Sequence, residues 1–259
     1  MNKKEEGAFG EYSRYYDLLY KDKDYQAEAD YINRLLQQYV SQRCDILEFG
    51  SGTGRHAKIL ANDFGHKIYG VEISADMVAN AEEHENVTSV VGDMRVYEAQ
   101  RTFDCILSLF HAVSYLTSDS DVKLFLNNAN RHLAIGGILI FDVWSTECVN
   151  HVKPSTRIKK MKEHGLEVIR LGEPTAYPED SVIEVDYSIF VKDSTDEKWS
   201  RFMEKHTMRH FTSEEIHEFS ESTAFEVVKS EEFLTSAEPS DTTWGVCYIL
   251  RKITETDSK

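Results

Sequence analysis

ILEFGSGTGRHAKIL, residues 46–60, passes from an apolar run into Gly50, Gly52 and Gly54 and then into a helical pattern. Glycines after a buried strand let backbone approach a ligand that a Cβ would repel. In open parallel sheets such a turn lies beyond the carboxyl ends of the strands, where ligands bind. A tight strand–helix turn with no ligand uses the same residues, so the rest of the chain must decide. The dinucleotide fingerprint G-x-G-x-x-G would place glycine at position 55. Arg55 stands there, and the third glycine comes one residue early.

Outward from this stretch the chain alternates strand and helix patterns. Residues 25–40 carry Ala29, Ile32, Leu35, Leu36 and Tyr39 at helical spacing. Residues 44–50, 67–72, 87–91, 103–110 and 138–144 read as strands. Residues 55–63, 74–84 and 119–133 read as helices. Ser74 caps the second of these, and Gly136 and Gly137 end the third. This alternation predicts a parallel sheet covered on both faces, doubly wound by the crossover rule.

After about residue 150 the pattern changes. Residues 166–172, 182–192 and 199–211 read as strands without intervening helices, separated by the turn-forming stretches EPTAYPED and KDSTDEK. A helix then follows at 212–224, opened by Thr212 or Ser213, with Glu215 placed for a capping box. FEVVKSEEFL and WGVCYILRKI supply two last strands. The expected fold is α/β: a doubly wound, seven-stranded, mostly parallel sheet with an antiparallel β insertion. Residues 1–150 would form a core with an N-terminal lid helix, 151–211 the insertion as a substrate cap, and 212–259 the end of the core sheet.

The 259 residues carry a formal net charge of -16. That argues against binding nucleic-acid backbones or anionic membrane surfaces, which call for clustered Lys and Arg. No apolar run reaches the ~20 residues that span a bilayer. Cys44, Cys105, Cys148 and Cys247 are scattered with no CxxC pair, as expected of buried thiols in a reducing compartment. The default is a cytoplasmic protein. The exposed edges of the insertion give two copies a way to pair as a homodimer.

Further polar groups fall at the other strand ends. Glu72 closes the second strand, where an acid accepts both hydroxyls of a ribose or favours the dipole of the following helix. Asp93 ends the third strand in VVGDMR, and SLFHAVSYL follows the fourth. Together they suit one nucleoside. On LEFGSGTG, YGVEIS-x-x-M, VVGDMR, FDCILSLFHAVSYL and GGILIFDVW, the chain resembles the class I S-adenosylmethionine-dependent methyltransferases. The resemblance is close over 44–144 and loose over the final strands. Within the family it looks most like small-molecule enzymes that N-methylate amino sugars carried on a nucleotide diphosphate. FGEYSRYYDLLYKDKDY, GDMR and the β insertion before MRHFTSEEI carry that likeness.

The resemblance implies S-adenosylmethionine as cofactor and S-adenosylhomocysteine as product. It implies that Gly50, Ser51 and Gly52 lie along the methionine part and that Glu72 holds the ribose. Ile73 and Met77 would pack on the adenine, Asp93 would accept from its amino group, and Met94 would pack beside it. Leu109 and Phe110 would border the sulfonium. Tyr15, Tyr20 and Lys23 would close over the cofactor.

Methyl transfer is an in-line displacement in which the protein supplies position and electrostatics, and alignment alone lowers such barriers by ~7–11 kcal/mol. An amine acceptor must be neutral, so a proton acceptor is useful. His111 and Tyr115 past strand four, Asp142 and Trp144 at strand five, and Glu204, His206 and His210 on one face of an inserted strand are the candidates. His111, Tyr115, Asp142 and His206 are the catalytic selection. Each has a packing or capping alternative. No metal is expected: residues four apart on a strand lie ~13 Å apart, too far to share an ion. No G-x-S-x-G elbow occurs. The expected acceptor is a small molecule, best the amine of a nucleotide-linked sugar. O-methylation of a sugar or other metabolite is the alternative. A nicotinamide-dependent oxidoreductase is disfavoured by the spacing at Gly54, and a non-catalytic cofactor-binding module stays open. N/D-P-P-Y/F, the mark of amino-methylating enzymes acting on nucleic acid, is missing: strand four ends in LFHA.

Overall fold

The computed structural model describes residues 13–40, 42–163, 165–193 and 198–253. Most of the turn read at 192–198 and the start of the N-terminal aromatic run lie outside them. In chain order the elements are α1 (Ser13–Leu19), α2 (Tyr25–Tyr39), β1 (Asp45–Phe49), α3 (Arg55–Phe64), β2 (Lys67–Glu72), α4 (Ala75–Ala79), β3 (Val87–Val91) and β4 (Phe103–Ser108). A 3-10 turn at Ala112–Tyr115 precedes α5 (Asp119–His132), β5 (Leu133–Ser145) and α6 (Thr146–Val152). Then come β6 (Arg157–Glu163), β7 (Leu166–Tyr177), β8 (Val182–Asp193), β9 (Ser200–Phe211), α7 (Ser213–Ser222), β10 (Phe225–Glu232) and β11 (Gly245–Lys252).

The chain divides into two compact units, residues 24–152 with 209–259 and residues 1–23 with 153–208. In the first, the strand order is β3-β2-β1-β4-β5-β11-β10. The first five strands are parallel, and β11 runs antiparallel to both β5 and β10. Side chains alternate between the two faces. Leu47, Phe49, Ile106 and Phe141 pack with Phe125, Phe219 and Phe225. Ile46, Cys105, Leu107 and Ile140 pack with Ile32 and Leu36 of α2 and Leu60 of α3. Helices α2, α4, α5 and α7 begin where a side chain satisfies a free N–H group. Asp24 accepts from Ala27 N at 2.9 Å. Thr212 and Glu215 form the full capping box of α7, with Thr212 Oγ1 accepting from Glu215 N at 3.1 Å.

The second unit holds α1 and a sheet in the order β9-β8-β7-β6, in which β7 runs antiparallel to both β6 and β8. Leu19, Met161, Val168, Ile189 and Val191 form its own small core.

Several boundaries differ from the sequence reading. α4 stops at Ala79 instead of reaching residue 84. Met77 is its only buried residue, so nothing rewards extension, and His84 turns away to bridge Val87. Gly136 and Gly137 do not end α5. Leu133 already takes an extended conformation, pairs with Phe103, and starts β5. Gly136, at φ +76°, is a kink within that strand. β7 runs on through much of the stretch read as a turn. β6 was not anticipated: RIKKMKE is mostly exposed and basic, and Met161 alone is buried. α6 was not anticipated either. The N-terminal helix joins the inserted strands as a unit, where the sequence reading attached it to the core.

Candidate active site

Gly50, at φ +72°, donates its N–H to Val71 O at 2.8 Å and so ties the glycine loop to β2. A Cβ on Gly50 would lie 2.7 Å from Ala112 Cβ, so the turn after β4 seats directly on this glycine. Gly52, at φ +57°, has more room: a Cβ would meet only Met77 Sδ, at 3.8 Å. Gly54, at φ +74°, takes the left-handed cap position that starts α3. Ser51 Oγ is buried without a hydrogen-bond partner among the described residues.

Glu72 links the two strand ends. Its Oε2 accepts from Gly52 N and its Oε1 from Ser74 N, both at 2.9 Å. Burial raises its pKa, and the N–H groups of Ser74, Gly52 and Ile73 oppose that shift. Each carboxylate oxygen has two acceptor sites, so the pair of oxygens could still accept from a vicinal diol. Ile73 beside it is 62% exposed, a large apolar side chain open to a planar base, while Met77 is buried beneath the loop.

Asp93 is held in a different way. Arg95 donates Nε to Oδ1 at 3.0 Å and Nη2 to Oδ2 at 2.6 Å, and its backbone N–H bonds Oδ1 at 2.9 Å. The Arg95 side chain holds the carboxyl below its usual range. Arg95 also reaches Asp121 at 2.8 Å, so GDMR is pinned to the first turn of α5. These contacts take up most of the acceptor capacity that the resemblance assigned to an adenine amino group. Met94 O accepts from Asn128 Nδ2 at 2.9 Å.

Leu109 is buried after β4. Phe110 and His111 follow with φ +59° and +60°, consecutive left-handed residues that are uncommon outside glycine. Such strain is held only where packing enforces it. The turn brings His111 Nδ1 to 2.7 Å from Asp142 Oδ2, while its backbone N–H donates to the same oxygen at 3.2 Å. The imidazole contact is close but off the hydrogen-bonding line, and Asp142 Oδ1 is buried with no partner among the described residues. The imidazole also meets the Trp144 ring, with centroids 6.0 Å apart. Tyr115, half-buried, closes the 3-10 turn just beyond.

The structure thus gathers Gly50, Ser51, Gly52, Glu72, Met77, Met94, Phe110, His111 and Asp142 around the carboxyl ends of β1, β2, β4 and β5. Tyr15, Tyr20, Lys23 and His206 belong to the other unit. There Tyr15 stacks on Phe202 at 5.7 Å, and Tyr20 OH accepts from Arg170 Nη1 at 2.9 Å. His206 Nε2 lies 3.2 Å from Glu204 Oε2 and meets the Tyr187 ring edge-on. His210 is placed in the core unit and bonds Thr146 Oγ1 at 2.8 Å. Sequence reasoning missed the Arg95 clamp and Trp244, whose ring meets Trp144 at 6.2 Å. The R of GDMR was a signal for the first; nothing in the pattern marked the second.

Residues 46–137 match the model of a methyltransferase domain. A Streptomyces venezuelae protein, dTDP-3-amino-3,4,6-trideoxy-alpha-D-glucopyranose N,N-dimethyltransferase, is 32% identical over 132 residues. That match covers 50% of this chain and 55% of the relative, about half the length of each. The Streptomyces fradiae dTDP-3-amino-3,6-dideoxy-alpha-D-glucopyranose N,N-dimethyltransferase is 28% identical over 210 residues, covering 80% of both chains. The sugar N-methyltransferase KedS8 from a Streptoalloteichus species superposes with a TM-score of 0.80 over 98% of this chain and 99% of its own, at 21% identity, which speaks for the fold. Residues 46–137 are thus similar to a methyltransferase domain, and the sheet order, the glycine loop and the acid at the end of β2 accompany that match.

Proposed function

We propose that the methyl acceptor is the amine of a nucleotide-linked amino sugar. The names of the two Streptomyces relatives support that class. The observation that carries the reading is the contact of His111 Nδ1 with Asp142 Oδ2 at 2.7 Å. Asp142 is buried, and its charge favours the tautomer with the proton on Nδ1, leaving Nε2 as a base. In the proposed step Nε2 takes the proton of the acceptor ammonium. A hydroxyl acceptor, far less acidic than an ammonium, would ask more of this pair.

Bound S-adenosylmethionine supplies an electrophilic methyl on a sulfonium. The chain's part is to hold and orient. We assign the ribose hydroxyls to Glu72, the base to Ile73 and Met77 with Met94 beside it, and the methionine part to the backbone of Gly50, Ser51 and Gly52. Leu109 and Phe110 border the reacting methyl. Asp93 acts on the base together with Arg95, whose grip it must share. Tyr115 lines the acceptor side. Among the described residues no helix is long and apolar enough to cross a membrane. The four cysteines are free and buried, which suits the cytoplasm.

The test compares dTDP-3-amino-3,6-dideoxyglucose with the same nucleotide sugar bearing a hydroxyl in place of the amine. Release of S-adenosylhomocysteine with the amine alone is expected. Equal release with the hydroxyl compound, or none with either, would overturn the reading.

A further inference from the structure

Trp144 and Trp244 meet at 74° with ring centroids 6.2 Å apart, and the His111 imidazole meets Trp144 at 61° and 6.0 Å. Two indoles at a steep angle make a corner, with the imidazole against one wall. Trp144 follows Asp142 by two positions on β5, so both side chains leave the same face of the strand. Its ladder partners are Gly245 and His210. Gly245 keeps the corner open: a Cβ there would lie 3.1 Å from His111 Cε1. Both indoles are half-buried and belong to neither core cluster. Large aromatic rings held out of the core beside a base need another use.

We infer that Trp144 and Trp244 seat the sugar ring of the acceptor and select rings that lack hydroxyls. The inference rests on the functional reading above. A ring carbon bearing hydrogen in place of hydroxyl can lie on an indole face with no hydrogen bond lost. A hydroxyl pressed onto that face is left unpaired and costs binding. The amine end suits the corner as well. It is cationic before it gives up its proton and again after transfer, and an indole face attracts an alkylammonium. His210 beside Trp144 bonds Thr146 and is kept neutral by burial, so it does not repel that cation. The corner would therefore hold the ring with its nitrogen toward His111.

The experiment measures kcat/KM for dTDP-3-amino-3,6-dideoxyglucose and for its counterpart carrying the hydroxyl at carbon 6, in wild type, Trp144→Ala, Trp244→Ala and Trp244→Phe. Wild type should prefer the deoxygenated sugar by about ten-fold or more. Both alanine variants should lose most of that preference through KM, with affinity for S-adenosylmethionine unchanged, and Trp244→Phe should retain it. Alanine variants that keep the wild-type preference would overturn the assignment. So would alanine variants whose cofactor affinity falls in step with activity, since that marks a structural role. Wild type that methylates neither sugar would overturn the functional reading itself, and this inference with it.

Discussion

Glu72 Oε2 accepts the backbone N–H of Gly52 at 2.9 Å. One carboxylate thereby fixes the glycine loop of β1 to the end of β2, while its other oxygen fixes Ser74 at the start of α4. The acid is a structural tie, and in the proposed function it also holds the ribose. A buried carboxylate with two backbone donors is already oriented before a ligand arrives.

Replacing Glu72 with Ala should therefore weaken S-adenosylmethionine binding by at least about 2 kcal/mol, since charged hydrogen bonds are lost and two N–H groups are orphaned. Calorimetric titration checks this. Because burial raises the Glu72 pKa above 4.5, wild-type affinity should begin to fall at a pH above that ordinary value. By the same sign, ionising Glu72 costs the free protein stability as pH rises through the raised pKa. Affinity that is flat down to pH 4.5 would remove Glu72 from the ribose.

Gly50→Ala and Gly52→Ala should separate fold from binding. Both positions have positive φ, but only Gly50 lies against Ala112, at 2.7 Å from an added Cβ. Gly50→Ala should cost about 2 kcal/mol or more of stability by strain and clash. Gly52→Ala should cost about 1 kcal/mol, yet weaken cofactor binding as strongly by blocking backbone approach. Thermal unfolding beside cofactor titration reads both.

His111→Ala should lower kcat by roughly a hundred-fold or more while leaving cofactor affinity within a few-fold. Asp142→Asn should lower kcat by less than His111→Ala, because Asp142 acts only through the imidazole it contacts. Wild-type kcat in His111→Ala would remove the imidazole from the reaction.

Arg95→Ala should make stability less dependent on acid. Arg95 holds the Asp93 carboxyl below its ordinary 3.8, so the pair contributes stability above that value and loses it as pH falls through the lowered one. The site is partly open to solvent, so the contribution is under about 1 kcal/mol. Wild type and variant should differ near neutrality and converge at low pH in denaturant titrations.

Strands β1 to β5 were legible because apolar runs bounded by glycine or capping residues leave few alternatives, and the Thr212–Glu215 capping box was legible as a pattern. β6 was hidden because an edge strand buries one residue, Met161, and shows no alternation. The end of α4 was hidden because it depends on His84 meeting Val87 across a turn. At the site, single residues at strand ends could be named from sequence. Their partnerships could not: Arg95 on Asp93 is a side-chain geometry, and the Trp144–Trp244 corner joins residues a hundred positions apart through the β5–β11 ladder.

The most direct measurement follows an isotope-labelled methyl group from S-adenosylmethionine onto dTDP-3-amino-3,6-dideoxyglucose and locates it by nuclear magnetic resonance. The label is expected on the sugar nitrogen, with transfer lost in His111→Ala. A label on oxygen, or transfer at the wild-type rate in His111→Ala, would contradict it.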